Sequence, residues 1–164
     1  MKFIFSILTF LIPVFGFSQN PQIDAVLKKY NKNTVPYISI KDLAAKKDNA
    51  VLLDAREQKE YNVSKIDKAV LVGHEHFDLQ TVTDRFKNKQ QLIVVYCSIG
   101  VRSEQIADKL KKAGYTNVFN LYGGIFEWKN QGYQVVDSKS KPTNKVHTYS
   151  AEWSKYLVKG EKVF

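Results

Sequence analysis

The stretch Leu92-Ile93-Val94-Val95-Tyr96-Cys97-Ser98-Ile99-Gly100-Val101-Arg102-Ser103 decides how this sequence is read. Leu92 to Tyr96 is the strongest strand candidate, a continuous apolar run of the kind buried on both faces of a parallel sheet. Ser103 to Ala113 carries Ile106, Ala107 and Leu110 on one helical face and stops at Gly114. Cys97 is therefore the first residue of a strand-to-helix loop. In open parallel sheets, ligand sites lie outside the carboxyl ends of the strands. Such a loop can wrap backbone N–H groups around the Cys97 sulfur, and the following helix points its positive end at the same place. Both favour a thiolate. Gly100 permits a backbone path that a side chain would obstruct, and Arg102 adds a fixed charge able to pair with an anionic substrate. The competing reading is a buried, inert cysteine at a strand end.

Outward from this loop the pattern repeats. Tyr37–Ile40, Ala50–Leu53, Ala69–Val72 and Asn117–Leu121 read as strands. Ile23–Tyr30, Asp42–Lys47, Glu57–Tyr61 and Phe77–Lys89 read as helices or helical turns. Apolar strands alternating with helices predict α/β architecture around a parallel sheet. Gly123-Gly124 predicts a tight turn opening a helix through Trp128, since no Lys-Ser/Thr follows to make a phosphate cradle. Residues 137–145 read as a linker, followed by a helix over Trp153, Tyr156, Leu157 and Val158 that packs back on the body.

The start of the chain has a different character. Lys2, an apolar run from Phe3 to Phe17, and the small-x-small exit Gly16-Phe17-Ser18 predict a signal peptide over residues 1–18. Its removal from 164 residues leaves 146, exported to the periplasm or the medium without stable membrane insertion. The full chain has 25 Lys+Arg against 16 Asp+Glu and a net charge of +9, but Arg occurs only at 56, 85 and 102. The lysines are scattered, so a nucleic-acid partner is not expected. One cysteine excludes an internal disulfide framework and a Cys-rich zinc module. His74-Glu75-His76 reads as a polar loop or as lining for the pocket mouth. With no further ligand spaced nearby, no metal is expected there.

Three motifs in order carry a resemblance to a known family. They are Val51-Leu52-Leu53-Asp54-Ala55-Arg56 with Glu60-Tyr61, then Tyr96 to Ser103, then Gly114-Tyr115 with Leu121-Tyr122-Gly123-Gly124-Ile125-Phe126-Glu127-Trp128. Residues 35–136 resemble the rhodanese-like, or sulfurtransferase, family. The resemblance implies a rhodanese-like α/β fold, a small, mostly parallel central sheet of about five strands with helices on both faces. The residues on either side read as an N-terminal helical extension over 19–34 and a C-terminal extension over 137–164 that packs on the domain.

For function, the resemblance implies a thiosulfate sulfurtransferase-like enzyme. Cys97 would be the nucleophile, carrying a persulfide as intermediate with no cofactor. Ser98, Ile99, Gly100, Val101, Arg102 and Ser103 would cradle a small anionic sulfur donor, and a thiol (a protein thiol among them) or cyanide would accept the sulfur. Asp54 and Glu60 would support the pocket. Asp54 and Arg56 match the family's Asp-x-Arg pair and would hold the pocket in shape, with Arg56 also facing the substrate or held in a salt bridge with Glu60. Cys97 to Arg102 spans six residues, as in the sulfurtransferases; the related dual-specificity phosphatases have a loop one residue longer. A monomer is expected. The alternatives are a module that carries sulfur or binds a partner without turnover, and a redox role through a mixed disulfide at Cys97. One segment departs from the family: its usual Gly-His-Ile-x-Gly-Ala is here Ser64-Lys65-Ile66-Asp67-Lys68-Ala69.

Overall fold

The computed structural model describes residues 20–164, so the leader expected over residues 1–18 lies outside the described residues. In chain order the first half comprises α1 (Pro21–Tyr30), β1 (Tyr37–Ile38), α2 (Ile40–Lys46), β2 (Val51–Asp54), α3 (Gln58–Val63), β3 (Val70–Leu71) and α4 (Leu79–Arg85). The second half comprises β4 (Ile93–Tyr96), α5 (Arg102–Lys112), β5 (Val118–Leu121), α6 (Gly124–Asn130), β6 (Val135–Val136), β7 (Pro142–Thr143), β8 (Lys145–His147), α7 (Ala151–Ser154) and β9 (Glu161–Val163).

Five strands form one parallel sheet in the order β1-β5-β4-β2-β3. β4 lies at its centre with all four residues buried, as its unbroken Ile-Val-Val-Tyr run requires. Its register sets Asp54 opposite Tyr96 and Asn120 opposite Val95, which brings the carboxyl ends of β2, β4 and β5 together. Side chains alternate between the faces. Leu52, Val94 and Tyr96 join Leu43, Phe126 and Trp128 in one core cluster. Leu53, Ile93 and Val95 join Val82, Ile106 and Leu110 in the other. The α/β reading from the sequence is the fold observed. Among the described residues, no helix is long and apolar enough to cross a membrane.

The terminal segments extend this body. Asn20 caps α1 by accepting from the Gln22 amide, Pro21 opens the helix, and Ile23, Val26 and Leu27 pack on Ile99 and Tyr122. Residues 137–145, read as a linker, contain paired strand, and the segment after them packs on the body. β7 pairs with β6, and β8 pairs with β9. Val146 and Leu157 are buried in the first cluster. The C-terminal helix is shorter than expected, a single turn over Ala151–Ser154, and Val158 is 74% exposed. α4 is also shorter than the 77–89 pattern: Asp78 caps its start, accepting from the Gln80 and Thr81 amides, and the backbone leaves the helix at Phe86.

The segment 64–69 holds its place by other means than the family's glycines. The Lys65 backbone exchanges two hydrogen bonds with Val136, at 2.8 and 2.9 Å. The Ile66 amide donates to the Tyr96 hydroxyl. Lys68, where the resemblance would place a glycine, sits at φ +66°. That region carries a steric cost for any residue with a Cβ. Lys68→Gly is therefore expected to raise stability by about 0.5–1 kcal/mol in chemical denaturation. An unchanged or lower midpoint would show that the backbone there stores no strain.

Candidate active site

Cys97 leaves the end of β4 only 1% exposed, and its sulfur is held by the loop that follows. The Gly100 amide donates to Sγ at 3.2 Å, and the Ser103 hydroxyl lies 3.5 Å from it. No side chain caps α5; the Ser103 amide and hydroxyl in its first turn act on the sulfur instead. Burial pushes the Cys97 thiol up. The Arg102 charge and the hydrogen bonds from Ser103 and Gly100 outweigh it and bring the thiol below its usual value.

Two further elements lock the loop. Asn120 on β5 is fully buried; its Oδ1 accepts from the Ser103 hydroxyl at 2.7 Å and its Nδ2 donates to the Gly100 carbonyl at 2.8 Å. Asn31, which follows α1, donates to the same carbonyl. On the other side, the Ile125 and Phe126 amides of α6 donate to the carbonyls of Cys97 and Ser98, at 2.9 and 3.1 Å. This contact explains the double glycine. Gly124 has φ +55°, and a Cβ there would run into the Cys97 carbonyl oxygen. The Gly123-Gly124 turn is thus a clamp on the cysteine backbone.

Arg102 binds Glu60 through two bonds of 2.8 Å, and its Nη2 also reaches the Ser98 hydroxyl. Glu60 is fully buried and accepts from the Glu57 amide in the capping box of α3. Burial pushes the Glu60 carboxyl up, but Arg102 and the Glu57 amide bring it net below the usual carboxylate range. Arg56 bonds to Asp54, its partner in the Asp-x-Arg pair, and neither faces the cavity nor pairs with Glu60. It is 0% exposed and does not line the Cys97 pocket. Its guanidinium binds Asp54 at 2.6 and 2.9 Å and the Ser64 carbonyl at 2.6 Å, with the Tyr96 ring beside it. The placement of Arg56 among substrate-binding residues, or paired with Glu60, is therefore corrected. A guanidinium so close to Asp54 in its own strand end satisfies it locally and ties β2 to segment 64–69. Burial alone would lower the Arg56 pKa, yet Asp54 carries it above the usual value.

The cysteine opens into a cavity of about 280 Å³ lined by Ser98, Ile99, Val101 and Arg102, and by Tyr30, Tyr149 and Trp153. The three aromatic residues come from the terminal segments, and nothing in their local sequence marks them as pocket residues. Tyr149 lies over the Arg102 guanidinium at 4.9 Å. Its amide donates to Nδ1 of His147, a buried residue to which the sequence assigned no part. Asn120 was also missed, although a buried amide within Val118-Phe119-Asn120-Leu121 demands a polar partner and is a legible signal. His74 and His76 do not line this cavity: His74 meets Gln105, and His76 lines a separate hollow with Asp78 and Arg85. A wider hollow of about 510 Å³, between Lys129, Asn144 and Lys159, shares no residue with the cysteine site.

The model of the rhodanese-like domain family matches residues 39–131. Among relatives, the tRNA uridine(34) hydroxylase of Buchnera aphidicola subsp. Baizongia pistaciae is 33% identical over 101 residues, 58% of this chain and 32% of that protein. The putative sulfur carrier protein YrkF of Bacillus subtilis is 33% identical over 103 residues, 60% of this chain and 53% of that protein. The chain thus spans about a third of the length of the first relative and about half of the second. A rhodanese-related protein from Thermoplasma volcanium superposes with a TM-score of 0.55 at 26% identity, covering 62% of this chain and 97% of that one. A thiosulfate sulfurtransferase from Pseudomonas aeruginosa superposes with a TM-score of 0.60 at 21% identity, covering 83% of this chain and 25% of that one; this likeness is one of fold.

Two outcomes are expected from the site geometry. The pH profile of Cys97 alkylation by iodoacetamide should have its midpoint below the value of about 8.5 for a free thiol. Arg102→Gln and Ser103→Ala should each move it upward, and a wild-type midpoint at or above the free value would refute the thiolate. Glu60→Gln should cost about 3 kcal/mol at neutral pH, because it leaves Arg102 without its buried counter-charge. A carboxyl whose folded value is depressed stabilises the fold above its unfolded value of about 4.3, and that contribution is lost as pH falls through the folded value. Acid titration of stability should therefore be less steep below that pH in Glu60→Gln than in the wild type.

Proposed function

The chain belongs to the rhodanese-like domain family, and we propose that it moves a sulfane sulfur from a donor to a thiol or cyanide acceptor through a persulfide on Cys97. The observation that carries this reading is the Cys97 sulfur itself. It lies at a strand end, pulled toward the thiolate by Arg102, Ser103 and Gly100, and faces a cavity. In the first half-reaction the thiolate attacks the outer sulfur of the donor. A bond forms between Sγ and that sulfur, the donor's own bond to it breaks, and the remainder leaves with the electron pair. The persulfide then occupies the same field of donors, so its negative charge is stabilised without rearrangement. In the second half-reaction an acceptor takes the outer sulfur and restores the thiolate. No cofactor is needed.

Arg102 serves chiefly as the charge beside the thiol. Its two terminal nitrogens both meet Glu60, and its side chain is only 18% exposed. Asp54 and Arg56 are structural supports. The leader-like sequence of residues 1–18 supports an exported mature chain as part of this reading.

A second reading, a carrier that is loaded by another protein and does not turn over with small molecules, is favoured by the likeness to the putative sulfur carrier. Incubation with thiosulfate should add one sulfur to the intact mass of the wild type and none to Cys97→Ala. Release of that sulfur to cyanide over many cycles supports the enzyme, whereas one stoichiometric release supports the carrier. A thiol that stays unmodified after several sulfane donors refutes both.

A further inference from the structure

The aromatic part of the cysteine cavity's wall comes from outside the family-matched residues 39–131. Tyr30 ends α1, Tyr149 follows β8, and Trp153 lies in α7. Tyr30 and Trp153 are held against each other, and Tyr149 is held against the site. The Tyr30 and Trp153 rings stand 6.0 Å apart, Trp153 packs on Tyr156 at 5.8 Å, and Tyr149 covers Arg102. Tyr30 and Tyr149 keep 49% and 48% of their surface exposed, so aromatic faces remain open beside the thiol. Ile99 and Val101 complete an apolar lining.

Among the described residues, Arg102 is the only cationic residue lining this cavity, and its charge is already matched by the buried carboxylate of Glu60. An inorganic dianion entering here would meet aromatic walls and a neutralised ion pair. A donor with an apolar body would instead bury that body on three rings. The space allows it: a cavity of about 150 Å³ holds a benzene ring, and this one measures about 280 Å³.

We propose that Tyr30, Tyr149 and Trp153 form the specificity subsite for an aromatic or branched apolar group on the leaving side of the sulfur donor. The substrate class is then an organic persulfide, R–S–SH, rather than inorganic thiosulfate. The Cys97 thiolate bonds to the outer sulfur, the donor's S–S bond breaks, and R–S⁻ departs with the electron pair along the aromatic wall. The proton stays on the transferred sulfur, which gives Cys97–S–SH. This inference rests on the sulfur-transfer reading above and adds to it the identity of the donor's organic part.

Stable thiosulfonates, R–SO2–S⁻, test it, because they yield the same persulfide with loss of R–SO2⁻. Loading of Cys97 is followed by intact mass with benzenethiosulfonate, methanethiosulfonate and thiosulfate at equal, subsaturating concentrations. Benzenethiosulfonate should load the wild type about tenfold faster than methanethiosulfonate, as burial of a ring in an apolar pocket predicts. Trp153→Ala should collapse that ratio toward one. Tyr30→Ala, at a half-exposed helix end, should lower the ratio as well and covers the case in which the Trp153 variant does not fold. A ratio that persists in the folded variants reflects leaving-group reactivity and overturns the subsite, as does thiosulfate loading as fast as the aryl donor. Binding of benzenesulfinate to Cys97→Ser, followed by calorimetry, separates the two levels of the proposal. Binding in the millimolar range or tighter, weakened by Trp153→Ala, supports the aromatic subsite even where no sulfur moves. Absence of that binding overturns it while leaving sulfur transfer standing. No loading by any of the three donors refutes the sulfur-transfer reading and the donor assignment with it.

Discussion

A negatively charged sulfur at the end of a fully buried strand must be matched by donors or it will take up a proton. Most of the polar architecture around Cys97 answers that demand. The Gly100 amide and the Ser103 hydroxyl meet the sulfur directly, and Arg102 supplies the compensating charge. Behind them stand groups that never touch the thiol. Asn120 ties Ser103 to the Gly100 carbonyl, α6 pins the carbonyls of Cys97 and Ser98, and Glu60 anchors Arg102 to the capping box of α3. Four elements of the sheet-and-helix body, β4, β5, α3 and α6, thus converge on one loop of six residues.

The same body sets apart two arginines that look alike on paper. Arg56 and Arg102 both follow a strand by a few residues, and both have a raised pKa despite burial. Arg56 is two residues from Asp54, close enough for the carboxylate to capture it within the loop, and the Ser64 carbonyl completes its enclosure. Arg102 has no acidic residue so near in sequence that bonds to it. Its partner Glu60 comes from forty-two residues away and is buried, while Arg102 itself lines the cavity. One arginine is mortar and the other is part of the site.

The terminal segments turn an open strand end into a walled cavity. α1 lays Ile23, Val26 and Leu27 over Ile99, which positions Tyr30 at its end. The C-terminal segment returns through β8, where the His147 Nδ1 accepts the Tyr149 amide and fixes a tyrosine at φ +66° over Arg102. The aromatic character of the site belongs to these segments, and the chemistry belongs to the sheet.

What could be read without coordinates was whatever is encoded within a few residues of itself. The apolar run Leu92–Tyr96, the amphipathic face of Ser103–Ala113 and the cysteine between them determine the parallel α/β fold and the strand-end loop. Backbone geometry then largely dictates what that loop can do. Asn120 was readable in principle, as an amide stranded in a buried strand. The fate of Arg56, the Arg102–Glu60 pair and the ring of Tyr30, Tyr149 and Trp153 were decided by tertiary structure. Each depends on side chains far apart in the chain meeting in space, and periodicity and spacing carry no record of such meetings. Ion pairing goes to whichever counter-charge the packed core brings within reach, and an aromatic residue becomes a core or a cavity wall according to what stands opposite it.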